Sequence, residues 1–63
     1  MKKMIEHHSG TEIRTLYKMK DRTYKVRIET FDHEKNQYNP SYDINYGLFS
    51  EALACVNYER KRQ

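Results

Sequence analysis

Three histidines and one cysteine are the side chains of this chain best suited to holding a metal ion or to nucleophilic chemistry. Their spacing favours neither. His7 and His8 are neighbours, so on a strand they point to opposite faces and on a helix they diverge, and neither arrangement brings two ring nitrogens to one ion. His33 and Cys55 have no partner at a metal-ligand interval. The sequence contains no glycine-rich phosphate loop, no nucleophile with an evident base and orienting group, and no pair of carboxylates in an apolar setting. A domain of 63 residues also has little volume for the pocket of roughly 300 Å³ or more that small-molecule sites require. The expectation is a protein that is not an enzyme and uses no cofactor or metal.

Binding chemistry is better supplied. Arg14, Lys18, Lys20, Lys25 and Arg27 alternate with apolar residues over two adjacent segments. Centring a hairpin on Asp21-Arg22 pairs Lys20 with Thr23, Met19 with Tyr24, Tyr17 with Val26, Thr15 with Ile28 and Ile13 with Thr30. Side chains alternate along a strand, so this register predicts one apolar face. The other face then carries the five cations together with Leu16, Glu12 and Glu29. Lys18 would stand opposite Lys25, a like-charge pair that an anionic ligand would relieve. A two-stranded ribbon fits the DNA major groove, and clustered Lys and Arg bind phosphates by releasing counterions. The competing structural reading is a solvated sheet face whose lysines discourage edge-to-edge aggregation. Nine acidic residues spread through the chain dilute the single-sign footprint of a dedicated nucleic-acid binder.

Two further groups could contact a partner. Arg60, Lys61 and Arg62 could extend a phosphate-contacting surface, although basic residues at a helix C-terminus are already explained by the helix dipole. Tyr38, Tyr42, Tyr46 and Tyr58 exceed what a hairpin core absorbs. Tyrosine gives large, stiff contact area with a hydroxyl and is enriched at interface hot spots; it also stacks on unpaired bases. Tyr42 and Tyr46 are expected to replace scarce aliphatics in the core, which leaves Tyr38 and Tyr58 as the interface residues.

The elements that must position these groups follow from pattern. Glu12–Lys20 and Thr23–Phe31 are the hairpin arms. The second is clearest, with Tyr24, Val26 and Ile28 alternating against Lys25, Arg27 and Glu29. Asp-Arg is not a favoured two-residue turn because neither residue readily takes positive φ, and a four-residue loop from Lys20 to Thr23 keeps the same register. The polar stretch from Asp32 to Pro40 reads as a loop, followed by a strand in which Tyr42, Ile44 and Tyr46 face inward and which Gly47 ends. Ser50 is placed to cap a helix over Glu51–Lys61, with Phe49, Ala52, Leu53 and Val56 as its apolar stripe. Residues 1–10 are either a frayed arm or a strand over Met4–His8 ahead of the Ser9-Gly10 turn signal. The predicted architecture is α+β: a small two-layer domain with an antiparallel sheet of three strands, or four if residues 1–10 pair, and one C-terminal helix packed on one face.

Composition bounds the rest. The chain makes one small domain and reads as a complete small gene product. Leu, Ile, Val and Phe number 11 of 63 residues, below the roughly 20% floor where globular sequences shade into disordered ones, with six tyrosines and three methionines making up part of the deficit. A net charge of +3 is too modest for a disordered chain, and a thin core invites completion by a homodimer contact or a partner. Lys2-Lys3-Met4-Ile5-Glu6 is too short in apolar residues for a signal peptide, and nothing is long enough to span a membrane. One unpaired cysteine suits a reducing, cytoplasmic setting.

These readings rank a stoichiometric binding protein first, an inhibitor or accessory factor acting on a larger protein or nucleoprotein complex. Phages and mobile elements often encode such factors in small genes, with anti-defence and host-takeover roles among them. On this reading, substitution at Tyr38 or Tyr58 abolishes function and charge reversal at Lys18 or Lys25 matters less. The alternative is direct binding of DNA or RNA by the basic hairpin face. The order of three strands and then a helix resembles that of AP2-type domains and of the arm-binding domains of some integrases, whose sheets enter the major groove, but the Trp and Gly landmarks of the plant AP2 pattern are not present.

Overall fold

The computed structural model describes residues 1–58. Four strands, β1 (Lys2–Ser9), β2 (Glu12–Lys18), β3 (Tyr24–Asp32) and β4 (Gln37–Tyr46), form an antiparallel meander in the order β1-β2-β3-β4, and one helix, α1 (Phe49–Val56), follows. The α+β class and the C-terminal helix are as expected, and the sheet is the four-stranded version. Residues 2–9 are a full edge strand, joined to β2 by a tight turn in which Gly10 takes φ 60°, the conformation a two-residue turn asks of its first central residue.

The hairpin differs from the expected one by a single residue of register, which moves half of its side chains to the other face. The pairs are Lys18 with Tyr24, Leu16 with Val26, Arg14 with Ile28 and Glu12 with Thr30. The cause is the turn. Its loop runs over Met19–Thr23, closed by Met19 N–H donating to the Thr23 carbonyl at 2.9 Å, so the turn centres on Asp21 and holds one residue more than a four-residue loop. Arg22 takes φ 69°, and the Asp21 carboxylate accepts from the Thr23 amide at 3.2 Å and from the Thr23 hydroxyl at 2.5 Å. An Asx-type turn of this kind stabilises a conformation that Arg itself does not favour.

With this register Leu16 joins Val26 and Ile28 on one face, where they pack with Ala52 and Val56 of α1 as the core; Ile5, Tyr24, Ile44, Tyr46 and Cys55 border it. Ile13, Thr15 and Tyr17, expected on the apolar face, lie instead on the opposite, helix-free face with Lys25, Arg27 and Glu29.

Strand β4 starts at Gln37, so the expected Asp32–Pro40 loop shrinks to the turn at 33–36. Asp32 Oδ1 accepts from the amides of Glu34 (2.9 Å) and Lys35 (3.3 Å), and Asn36 adopts φ 54°. Pro40 lies within β4, which tolerates it as an edge strand. Pairing passes from Ile28 with Tyr42 to Glu29 with Pro40, leaving Ser41 as the bulged residue.

The helix is shorter than expected and starts earlier. Leu48 is the N-cap, with extended backbone and no side-chain bond, and Ser50 lies inside the first turn. The helix ends at Val56 with Asn57 as C-cap and no basic residue in its last turn. Arg60, Lys61 and Arg62 lie outside the described residues. Eight residues span about 12 Å, less than the sheet they cross, so part of the helix-side face is left uncovered. Among the described residues no helix is long and apolar enough to cross a membrane.

Candidate partner-binding surfaces

The five hairpin cations do not share a face. Lys25 and Arg27 project from the open face, whereas Arg14 and Lys18 belong to the helix side and Lys20 to the loop. The expected Lys18–Lys25 opposition is replaced by Lys18 facing Lys2 of β1 across the strand pair.

On the open face the charges are matched. Arg27 Nε donates to Asp43 Oδ1 at 3.2 Å, and Lys25 Nζ lies 3.8 Å from Asp43 Oδ2. The hydrogen bond and charge of Asp43 raise the Arg27 pKa, and its guanidinium also lies 5.7 Å from the centroid of the Tyr17 ring, within cation–π range. On β1, Glu6 accepts from Lys3 Nζ at 3.0 Å and lies 2.6 Å from His8 Nε2. Bonding to His8, then to Lys3, holds the Glu6 carboxyl below its usual range.

Arg14 is structural. Its side chain is only 14% exposed; Nε donates to Glu12 at 2.7 Å and Nη1 to the Cys55 carbonyl at 2.8 Å. A strand cation thereby satisfies a carbonyl of the helix's last turn, the role the sequence pattern assigns to Arg60, Lys61 and Arg62. Burial disfavours the charged guanidinium, but the hydrogen bond and charge of Glu12 more than offset this and raise its pKa.

The tyrosines separate. Tyr38 meets Phe31 edge-on at 5.1 Å, with His33 on the same Phe31 ring at 5.0 Å. Tyr58 lies beside Arg14, ring centroid to guanidinium 5.2 Å, and is 55% exposed. Tyr46 is half-buried against the core, and its phenol pKa is raised by a hydrogen bond with the Cys55 thiol and by burial. Tyr42, expected in the core, is 55% exposed because α1 stops before covering it.

One surface was not anticipated from the sequence. The first residues of β1, the β2–β3 loop, the end of β4 and the start of α1 meet at one end of the sheet. There Met1, Met4, Leu48 and Phe49 are exposed, at the same end of the sheet as Lys2, Lys18, Lys20 and Arg22. The available signal was the pair Leu48-Phe49, an apolar dipeptide just after the Gly47 breaker. Among the described residues no three His, Cys, Asp or Glu side chains come together as a metal site. Comparison with protein-family models, curated proteins and solved structures finds no match.

Proposed function

We propose that this protein is a small non-enzymatic binding module that acts stoichiometrically on a larger protein or nucleoprotein complex, as an inhibitor or accessory factor. The observation that carries this reading is the sharing of Asp43 by Lys25 and Arg27. A phosphate backbone on the open face would have to displace a carboxylate already bonded there, which weakens the sequence case for a DNA-binding ribbon. Exposed anchors of the kind that dominate protein interfaces are plentiful by contrast: Tyr42, Tyr58, Leu48 and Phe49 project from a domain whose buried cluster is five residues. A broad sheet face and two edge strands also offer the area that a standard interface of about 800 Å² per partner needs. Anti-defence and host-takeover factors of phages and mobile elements fit this description.

The test is retrieval of a discrete complex by the tagged protein from cells that contain its partner, with stoichiometry read by native mass spectrometry before and after nuclease digestion. A fixed protein-to-protein ratio that survives nuclease and the Lys25→Ala/Arg27→Ala double substitution is expected. A complex that dissolves on nuclease treatment would overturn the reading in favour of direct nucleic-acid binding.

A further inference from the structure

The end of the domain at the β2–β3 loop combines unmatched positive charge with exposed apolar side chains. Lys2 and Lys18 are direct register partners, a like-charge pairing of the kind that is unfavourable across a strand pair. Lys18 also faces Tyr24, whose ring meets Phe49 edge-on at 5.5 Å. Lys18 is therefore linked through Tyr24 to the first turn of α1, where Leu48 is 60% and Phe49 38% exposed. Lys20 and Arg22 extend from the adjoining loop and are exposed. Elsewhere most strand cations have partners: Lys3 with Glu6, Arg14 with Glu12, and Lys25 and Arg27 with Asp43, while, among the described residues, Lys35 stands alone in the 33–36 turn at the other end of β3. Among the described residues Lys2, Lys18, Lys20 and Arg22 have none. Two acids also lie at this end, Asp21, whose carboxylate bonds to Thr23 rather than to a cation, and Glu51 in the helix's first turn, which leaves four cations against two anions.

The geometry points to this end as the docking surface for an acidic segment of a protein partner that also carries apolar side chains. Carboxylates of the segment meet Lys2, Lys18, Lys20 and Arg22, and its apolar residues cover Leu48 and Phe49. The inference rests on the protein-binding function proposed above and names the chemistry of the partner. Charge complementarity selects the occupant, because removing the Lys2–Lys18 repulsion favours an anion at this place. The apolar anchors select protein over a phosphate backbone, which would leave Leu48 and Phe49 uncovered. A lipid surface fits less well: interfacial helices carry Lys or Arg on their polar face, whereas Phe49 is followed by Ser50 and Glu51. Charge reversal at Lys18, which the sequence alone expects to matter less than substitution at Tyr38 or Tyr58, becomes disruptive.

The experiment follows backbone amide resonances of the ¹⁵N-labelled protein during titration with a synthetic peptide of alternating Glu and Leu, near physiological salt. Controls are the same peptide with Lys for Glu, a short DNA duplex, and phosphatidylcholine vesicles with and without phosphatidylserine. The acidic peptide is expected to shift amides of residues 18–22 and 48–49 selectively. Lys20→Glu/Arg22→Glu and Leu48→Asp, all at exposed positions, are each expected to weaken it at least tenfold. Equal response to both peptides, shifts centred elsewhere, or tighter binding of duplex or anionic vesicles would overturn the inference. The authentic complex separates this failure from that of the functional reading. If the partner is retained undiminished by Lys20→Glu/Arg22→Glu and by Leu48→Asp, the docking surface is wrong and the function stands. If the unmodified protein retains no protein partner, the function itself is wrong.

Discussion

Arg14 in β2 donates to the carbonyl of Cys55 in the last turn of α1 at 2.8 Å, so the helix is fastened to the sheet by a cation that lies 41 residues away in sequence. The same guanidinium holds Glu12 at 2.7 Å and lies against the Tyr58 ring. A residue whose type suggests phosphate binding is thereby committed to the fold.

Arg14→Ala should therefore cost about 2 kcal/mol of stability, the scale of losing a partly buried charged hydrogen bond. In a domain of this size that corresponds to a fall in melting temperature on the order of 10 °C. Lys18→Ala and Lys20→Ala, at exposed positions, should stay within about 0.5 kcal/mol. Urea denaturation of the three variants checks the contrast, and equal effects would show that Arg14 is not a fastening residue.

The hairpin register is tested at Leu16 and Tyr17, adjacent residues on opposite faces. Leu16 is fully buried between the sheet and α1, and Leu16→Ala should cost about 2–5 kcal/mol. Leu16→Lys should prevent folding. Tyr17 lies half-buried on the open face beside Arg27, and Tyr17→Lys should cost no more than about 1 kcal/mol, the scale of a surface cation–π contact. The register centred between Asp21 and Arg22 makes the opposite prediction, so circular dichroism of Leu16→Lys and Tyr17→Lys decides between them.

Acid should loosen the β2–β3 turn. Hydrogen bonds from the Thr23 side chain and then its amide lower the Asp21 pKa, as His8 and Lys3 lower that of Glu6. A carboxyl whose pKa is lower folded than unfolded contributes stability above the unfolded value, and that stability is lost as pH falls through the folded value. The protein should lose stability as pH falls below the ordinary carboxylate range. Asp21→Asn should remove part of that dependence, read as a smaller fall in the urea midpoint between about pH 7 and about pH 3. An unchanged difference would show that the turn bonds do not favour the ionised form.

Much of the fold was legible in the sequence. Alternation in Tyr24–Glu29 defined β3, and Tyr42, Ile44 and Tyr46 defined the second half of β4. The apolar spacing of Ala52, Leu53 and Val56 defined the helix. Register was not legible, because it depended on Arg22 accepting positive φ inside a turn held by Asp21 and Thr23, a conformation that residue type argues against. One sign was available: the expected register left Leu16 on a charged face, and pairing it with Val26 removes that conflict. The site suffered from the same shift. The cations are visible as residue types, but their expected grouping on one face depended on a parity that one extra loop residue reversed. Asp43, which matches two of them, is distant in sequence and had no pattern to reveal it.

The proposed ligand is protein rather than a phosphate backbone. The most direct measurement is fluorescence anisotropy of labelled duplex DNA, single-stranded DNA and RNA titrated with the protein at low and near-physiological salt. At most weak, low-salt binding that disappears near physiological salt is expected, as for a few unshared lysines. Micromolar or tighter binding that persists there, and falls on Lys25→Ala or Arg27→Ala, would contradict it.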